Sequence, residues 1–173
     1  MELILKLVIC AGIIGLTTYL GILKSNGLRD REYILQDMIT FLNLVENDIR
    51  YMMNILPNAY EMARQKLNTK LKIAIGKIVV DMINFNSYTM IEQSIEHNIA
   101  EITELTDYDK EIMVSTLKNL GRSDLDSQIN IIHNSISILN NQLKEANDQK
   151  LKNSKLYRTI GIISGLLIVI VII

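Results

Sequence analysis

The sequence predicts an all-α protein, a cytoplasmic bundle of about six helices flanked by one transmembrane helix at each terminus. Three observations predict it. Apolar residues make up 49% of the chain and are concentrated at its two ends. The middle repeats apolar residues at steps of three and four, the period of one helix face. Proline occurs once, at Pro57. The 173 residues suffice for one compact domain, divided as an N-terminal transmembrane helix over 1–24, a cytoplasmic helical domain over 25–155 and a C-terminal transmembrane helix over 156–173.

Residues 3–23 read LILKLVICAGIIGLTTYLGIL, with Lys6 as the single charge. At 1.5 Å per residue such a helix spans roughly 30 Å, the thickness of a bilayer core. Lys6 lies within two turns of the end, where its ammonium reaches the interface. A cleaved signal peptide is the competing reading, with Thr17 and Gly21 as small residues of a cleavage site, but the apolar run exceeds an ordinary signal core. Residues 156–173 read LYRTIGIISGLLIVIVII, with Tyr157 and Arg158 at the interfacial position and no charge beyond them. Small residues recur four apart, at Ala11 and Gly15, Thr17 and Gly21, and Gly161 and Gly165, a spacing that lets helix backbones approach closely in lipid. The basic residues flanking the two runs are Lys24, Arg29 and Arg31 on one side and Lys144, Lys150, Lys152, Lys155 and Arg158 on the other. All fall in the central region or at its edge, which predicts a cytoplasmic middle with both termini outside.

In the middle, Leu35, Met38, Leu42, Val45, Ile49, Met52 and Leu56 form an a/d stripe along a helix over 28–56. Pro57 ends it and opens the next, over 58–67. A third helix runs over 69–84. Thr89 with Glu92 reads as a capping box for a fourth, to residue 102. Asp107 caps a fifth, over 108–120, and Gly121 is its terminating glycine. Ser123 caps the last helix, in which Leu125, Ile129, Ile132, Ile136, Leu139, Leu143 and Ala146 keep a heptad. No breaker follows before residue 173, so this helix is expected to continue into the C-terminal span, the alternative being a kink or loop over 147–153.

Chemistry-bearing groups are sparse. Cys10 is the only cysteine and lies in an apolar run, so no intramolecular disulfide forms and no aqueous histidine reaches it. His97 and His133 lack partners that would complete a metal site. Glu101, Glu104 and Asp107 cluster near a helix junction and read as a solvated face. The methionines, among them Met52, Met62, Met82, Met90 and Met113, fall on or beside apolar stripes and read as core. No phosphate-binding glycine loop or nucleophile elbow is present. The reading is of a non-enzyme with no catalytic residue, cofactor or metal; at a net charge of -1 there is no nucleic-acid partner either.

The segment LTDYDKEIMVSTLKNLGRSDLDSQ over 105–128, a long polar helix after it, and the run Gly161, Ser164, Gly165, Leu166, Leu167 resemble the stage III sporulation protein AB family of endospore-forming Firmicutes. DIRYMMNILPNAYEMA over 48–63 is similar to the family's link between its first two helices, although Met52 stands where the family often has glycine. The resemblance covers essentially the whole chain. It implies a cytoplasmic domain like the platform protein of type II secretion and type IV pilus systems. It further implies a place in the channel between mother cell and forespore, in the outer forespore membrane on the mother-cell side. The partners implied are a secretion-type ATPase, stage III sporulation protein AA, and other membrane proteins of the channel. Arg122, Asp124 and Gln128 at the LGRSD corner are the candidate protein contact, and Ala11, Gly15, Gly161 and Gly165 the candidate membrane packing residues. The alternative from another class is a two-span signalling or adaptor protein with a homo-oligomeric, dimeric bundle.

Overall fold

The structure is a computed structural model that describes the chain except residues 1, 53, 54, 86 and 173, and except the side chains of residues 2–11, 158, 171 and 172. Lys6, Cys10, Ala11 and the Arg158 side chain therefore lie outside the described residues. Among the described residues every regular element is helical: α1 (Glu2–Asn47), a π-helical turn (Asp48–Met52), α2 (Leu56–Arg64), α3 (Lys70–Asn84), α4 (Tyr88–Ala100), α5 (Asp107–Asn119) and α6 (Leu125–Ile172). Two units are distinct, a hairpin of residues 1–30 with 145–173 and a bundle of residues 31–144. α1 and α6 contribute to both.

The expected continuity of α6 into the C-terminal apolar run is observed. The same holds for α1, where separate helices over 3–23 and 28–56 were expected. Gly27 costs a helix interior only about 1 kcal/mol relative to alanine, too little to end a helix whose flanks both pack. One helix among the described residues, Leu125–Ile170, is long and apolar enough to cross a membrane.

The bundle core is aliphatic. Leu35, Met38, Leu42 and Val45 of α1 are fully buried, as expected, together with Phe41, which meets Tyr60 of α2 edge-to-face at 5.2 Å. The stripe then fails: Met52 is 64% exposed. The π-helical turn explains the correction, because its extra residue per turn rotates every later side chain off the 3–4 register. On α6, Ile129, Ile132, Leu139 and Ala146 are buried as the heptad requires, while Leu125 is exposed.

Several caps differ from expectation by one to three residues. α4 starts after Ser87, and Thr89 makes no cap, since Glu92 turns away to Arg122. α5 is capped by Thr106 in a reciprocal box with Asp109. The start of α6 is held by Asp124, whose carboxylate accepts the Ser127 N–H at 3.0 Å. Thr69 caps α3 as the third-helix boundary implied. Gly121 takes φ +80°, which the expected terminating glycine permits and a side chain resists.

Candidate functional site

The bundle has two ends of different character. At the end where α1 enters and α6 leaves, charge and backbone are tied down. Arg31 Nε donates to Asp109 Oδ2 at 2.8 Å, and its Nη2 donates to Asp109 Oδ1 and to Gln142 Oε1, both at 3.1 Å. Arg31 and Asp109 are buried, so Arg31 is a tie between α1, α5 and α6 and not the exposed flanking cation that its position suggested. Asp37 accepts the N–H groups of Asn68 and Thr69 at 2.9 and 2.8 Å, holding the α2–α3 turn to α1. Lys70 pairs with Glu104 at 2.5 Å and Lys77 with Glu101 at 2.8 Å. Part-burial of Glu104 opposes ionisation most strongly, but the Lys70 hydrogen bond and charge, with the hydrogen bonds from its own N–H and Thr103, together hold its carboxyl below the usual range; the Lys77 hydrogen bond lowers Glu101. The carboxylates that read as a solvated face are thus mostly cation-paired.

The opposite end gathers the α1–α2, α3–α4 and α5–α6 turns. The LGRSD corner lies among them. A Cβ on Gly121 would stand 3.3 Å from Leu56 of α2, while Arg122 pairs with Glu92 of α4 and lies 5.2 Å over the Tyr88 ring. Gln128 closes the corner by accepting the Gly121 N–H at 2.9 Å and donating to the Ser123 carbonyl at 2.8 Å. Hydrogen bonds from Ser127 hold the Asp124 carboxyl below its ordinary value. Arg122, Asp124 and Gln128 are therefore brought together, and each has local work, capping or bracing the corner.

Around that corner the bundle exposes large side chains that sequence reasoning assigned to the core or passed over. Tyr51 is 75% exposed and Ile55 68%, beside Met52; Tyr88 and Met90 are exposed on the α4 side. Tyr51, Met52 and Met62 help line a shallow groove of about 260 Å³. Surfaces of Tyr, Met and Arg suit protein contact, and methionine adapts to varied partners. The signal in the sequence was the placing of Tyr51 and Tyr88 at turns; the helical stripe through Met52 hid it.

No group of three or more His, Cys, Asp or Glu gathers at metal-binding distance among the described residues. His133 lies 3.0 Å from Glu46 and His97 lies 3.5 Å from Glu101, each a single pair.

In the hairpin, small residues set the approach. A Cβ on Gly161 would stand 2.8 Å from the Thr17 carbonyl oxygen, closer than real Cβ contacts allow, and 3.2 Å from Gly21 Cα, a tight approach. Gly165 meets Ile14 and Thr17 in the same seam. Of the four expected packing residues, Gly161 and Gly165 are in contact, Gly15 has nothing within 4 Å, and Ala11 is outside the described side chains. Gly21 and Thr17 take the places expected of Ala11 and Gly15. The Ser25 and Ser154 hydroxyls share a hydrogen bond of 2.5 Å.

These features define an all-helical bundle protein carrying a helix of membrane-spanning length and composition. The family model of stage III sporulation protein AB matches residues 6–173, and the chain belongs to that family. No curated protein and no solved structure matches it.

Proposed function

We propose that this chain is a non-enzymatic membrane platform of the sporulation channel between mother cell and forespore. Both ends of the chain cross the membrane, the bundle lies in the cytoplasm, and both termini lie outside. The bundle receives a secretion-type ATPase of the stage III sporulation protein AA kind and couples it to other membrane components, as the platform proteins of type II secretion are understood to do.

The observation that carries the reading is an alignment. Ser25 meets Ser154, and Gly21 meets Tyr157 and Gly161, so residues level with one another have numbers that sum to about 180. α1 turns apolar going back from Lys24, and α6 turns apolar going forward from Arg158. In this register the two changes fall within one helical turn of each other. Two helices entering a bilayer side by side require that coincidence, whereas a signal peptide awaiting removal has no need of it.

The turn end of the bundle, with Tyr51, Met52, Ile55 and Tyr88 around Arg122 and Asp124, is the docking surface for the ATPase. The test is co-purification from detergent-solubilised sporulating cells. Replacing Tyr51, Met52 and Tyr88 with alanine removes exposed side chains, and the unfolding midpoint of the bundle is expected to hold while ATPase recovery falls at least tenfold. Undiminished recovery with the triple variant, and with Arg122→Ala and Asp124→Ala, would remove this surface from the account. Recovery of a kinase instead would favour the signalling alternative.

A further inference from the structure

The hairpin carries a charge pattern that its helix packing does not explain. Residues 24–29 read KSNGLR and residues 150–155 read KLKNSK, five cations with no acidic residue. The Ser25–Ser154 hydrogen bond brings these two stretches to the same level. Six residues of helix rise about 9 Å, comparable with one headgroup layer of a bilayer.

The side chains face outward. Lys24, Arg29, Lys152 and Lys155 are exposed, and among the described residues none of the four is ion-paired. By contrast, most lysines and arginines of α2 to α5 stand in pairs with Glu residues. Four exposed cations outside any ion pair repel one another and draw anions from elsewhere. Apolar side chains sit among them: Leu151 is 69% exposed and Leu156 50%. A nucleic acid backbone offers phosphate to the cations but no acyl-like apolar surface to leucines at this level. A lipid leaflet offers phosphate to the ammonium groups and acyl carbon to the leucines, at one depth.

We propose that residues 24–29 and 150–155 form a collar that binds the headgroups of anionic phospholipids where the hairpin enters the membrane. The inference rests on the two-span reading above. The collar recognises the lipid phosphate and its net negative charge, so zwitterionic phosphatidylcholine binds it weakly.

The experiment is electron paramagnetic resonance of spin-labelled lipids around full-length protein reconstituted in phosphatidylcholine. Labelled phosphatidylglycerol is expected to associate more tightly than labelled phosphatidylcholine, on the order of fivefold for each cation engaged. The preference should shrink as salt is raised. A variant with Lys24, Arg29, Lys152 and Lys155 all replaced by glutamine should lose it while keeping its helical circular dichroism. Equal association of the two lipids overturns the collar but leaves the hairpin reading intact, because immobilised lipid is still seen. A preference that survives the fourfold variant also overturns the collar. If no lipid is immobilised at all, the hairpin reading fails and the collar with it. Loss of the preference on adding inorganic phosphate at constant ionic strength would reassign the cations to a soluble anion and overturn the lipid proposal.

Discussion

The hairpin and the bundle share α1 and α6, yet they hold those helices together by opposite means. In the hairpin the contact residues are Thr17, Gly21, Ser25, Ser154, Gly161 and Gly165, and backbones approach where side chains are missing. In the bundle the contact residues are Leu35, Met38, Phe41, Leu42, Ile75, Ile78, Met113 and Ile132, fully buried and large. The difference follows from the surroundings each suits. In water, burying a large apolar side chain is favourable by about 1.5–3 kcal/mol, so size is rewarded. In lipid the tails are as apolar as leucine, so association depends on close van der Waals contact, and small residues permit it. The charge differs as well. Residues 31–144 carry 15 acidic against 11 basic side chains, several of them paired between helices, while Lys24, Arg29, Lys152 and Lys155 of the hairpin band are in no ion pair among the described residues.

Three experiments test how far this contrast goes. The largest effect is expected at the buried ion pair of the bundle. Arg31→Met should destabilise the bundle by about 3–5 kcal/mol, because Asp109 is left buried without its cationic partner. Replacing both residues with apolar ones should recover much of that loss. Denaturant unfolding of the full-length protein in detergent, followed by circular dichroism, gives both values; a single variant as stable as the parent would mean that the pair holds nothing.

A smaller and more pointed effect comes from exchanging sizes between the two regions. Leu42→Ala should cost the bundle about 2–5 kcal/mol and leave the hairpin unaltered. Gly161→Leu should do the reverse. With cysteines at positions 25 and 154 and Cys10 replaced by serine, the parent should form an intramolecular disulfide and the Gly161→Leu variant should not. Equal crosslinking in both would show that close approach at Gly161 is not what holds the hairpin.

The smallest effect is a gain. Tyr60 is fully buried, its hydroxyl finds no partner among the described residues, and burial pushes its pKa well above the ordinary phenol value. Tyr60→Phe keeps the ring against Phe41 and removes the orphaned group. It should raise stability by about 1 kcal/mol, read as a higher denaturant midpoint. A loss instead would reveal a partner for that hydroxyl.

Helix class, the breaks near Pro57 and Gly121, the burial of the Leu35–Val45 stripe and the continuity of α6 were legible in the sequence, because each rests on periodicity or on a residue with one conformational use. So were the apolar ends and the glycine spacing, although the seam is made by Thr17 and Gly21 on α1, with Gly15 facing away from it. Helical spacing shows which residues share a face and leaves open what that face meets.

Only the tertiary structure decided the rest. A five-residue π-helical turn at Asp48 moved Met52 from the expected core to the surface and gathered an exposed aromatic end around the LGRSD corner. The pairing of Arg31 with Asp109 turned a flanking cation into a buried tie. The register of Ser25 on Ser154 set the two basic stretches at one level. Each depends on contacts between residues 30 or more positions apart, or on a local change of helical pitch. A chain read by composition and period records neither, since the free energy of such contacts depends on distance in space and not on separation in sequence.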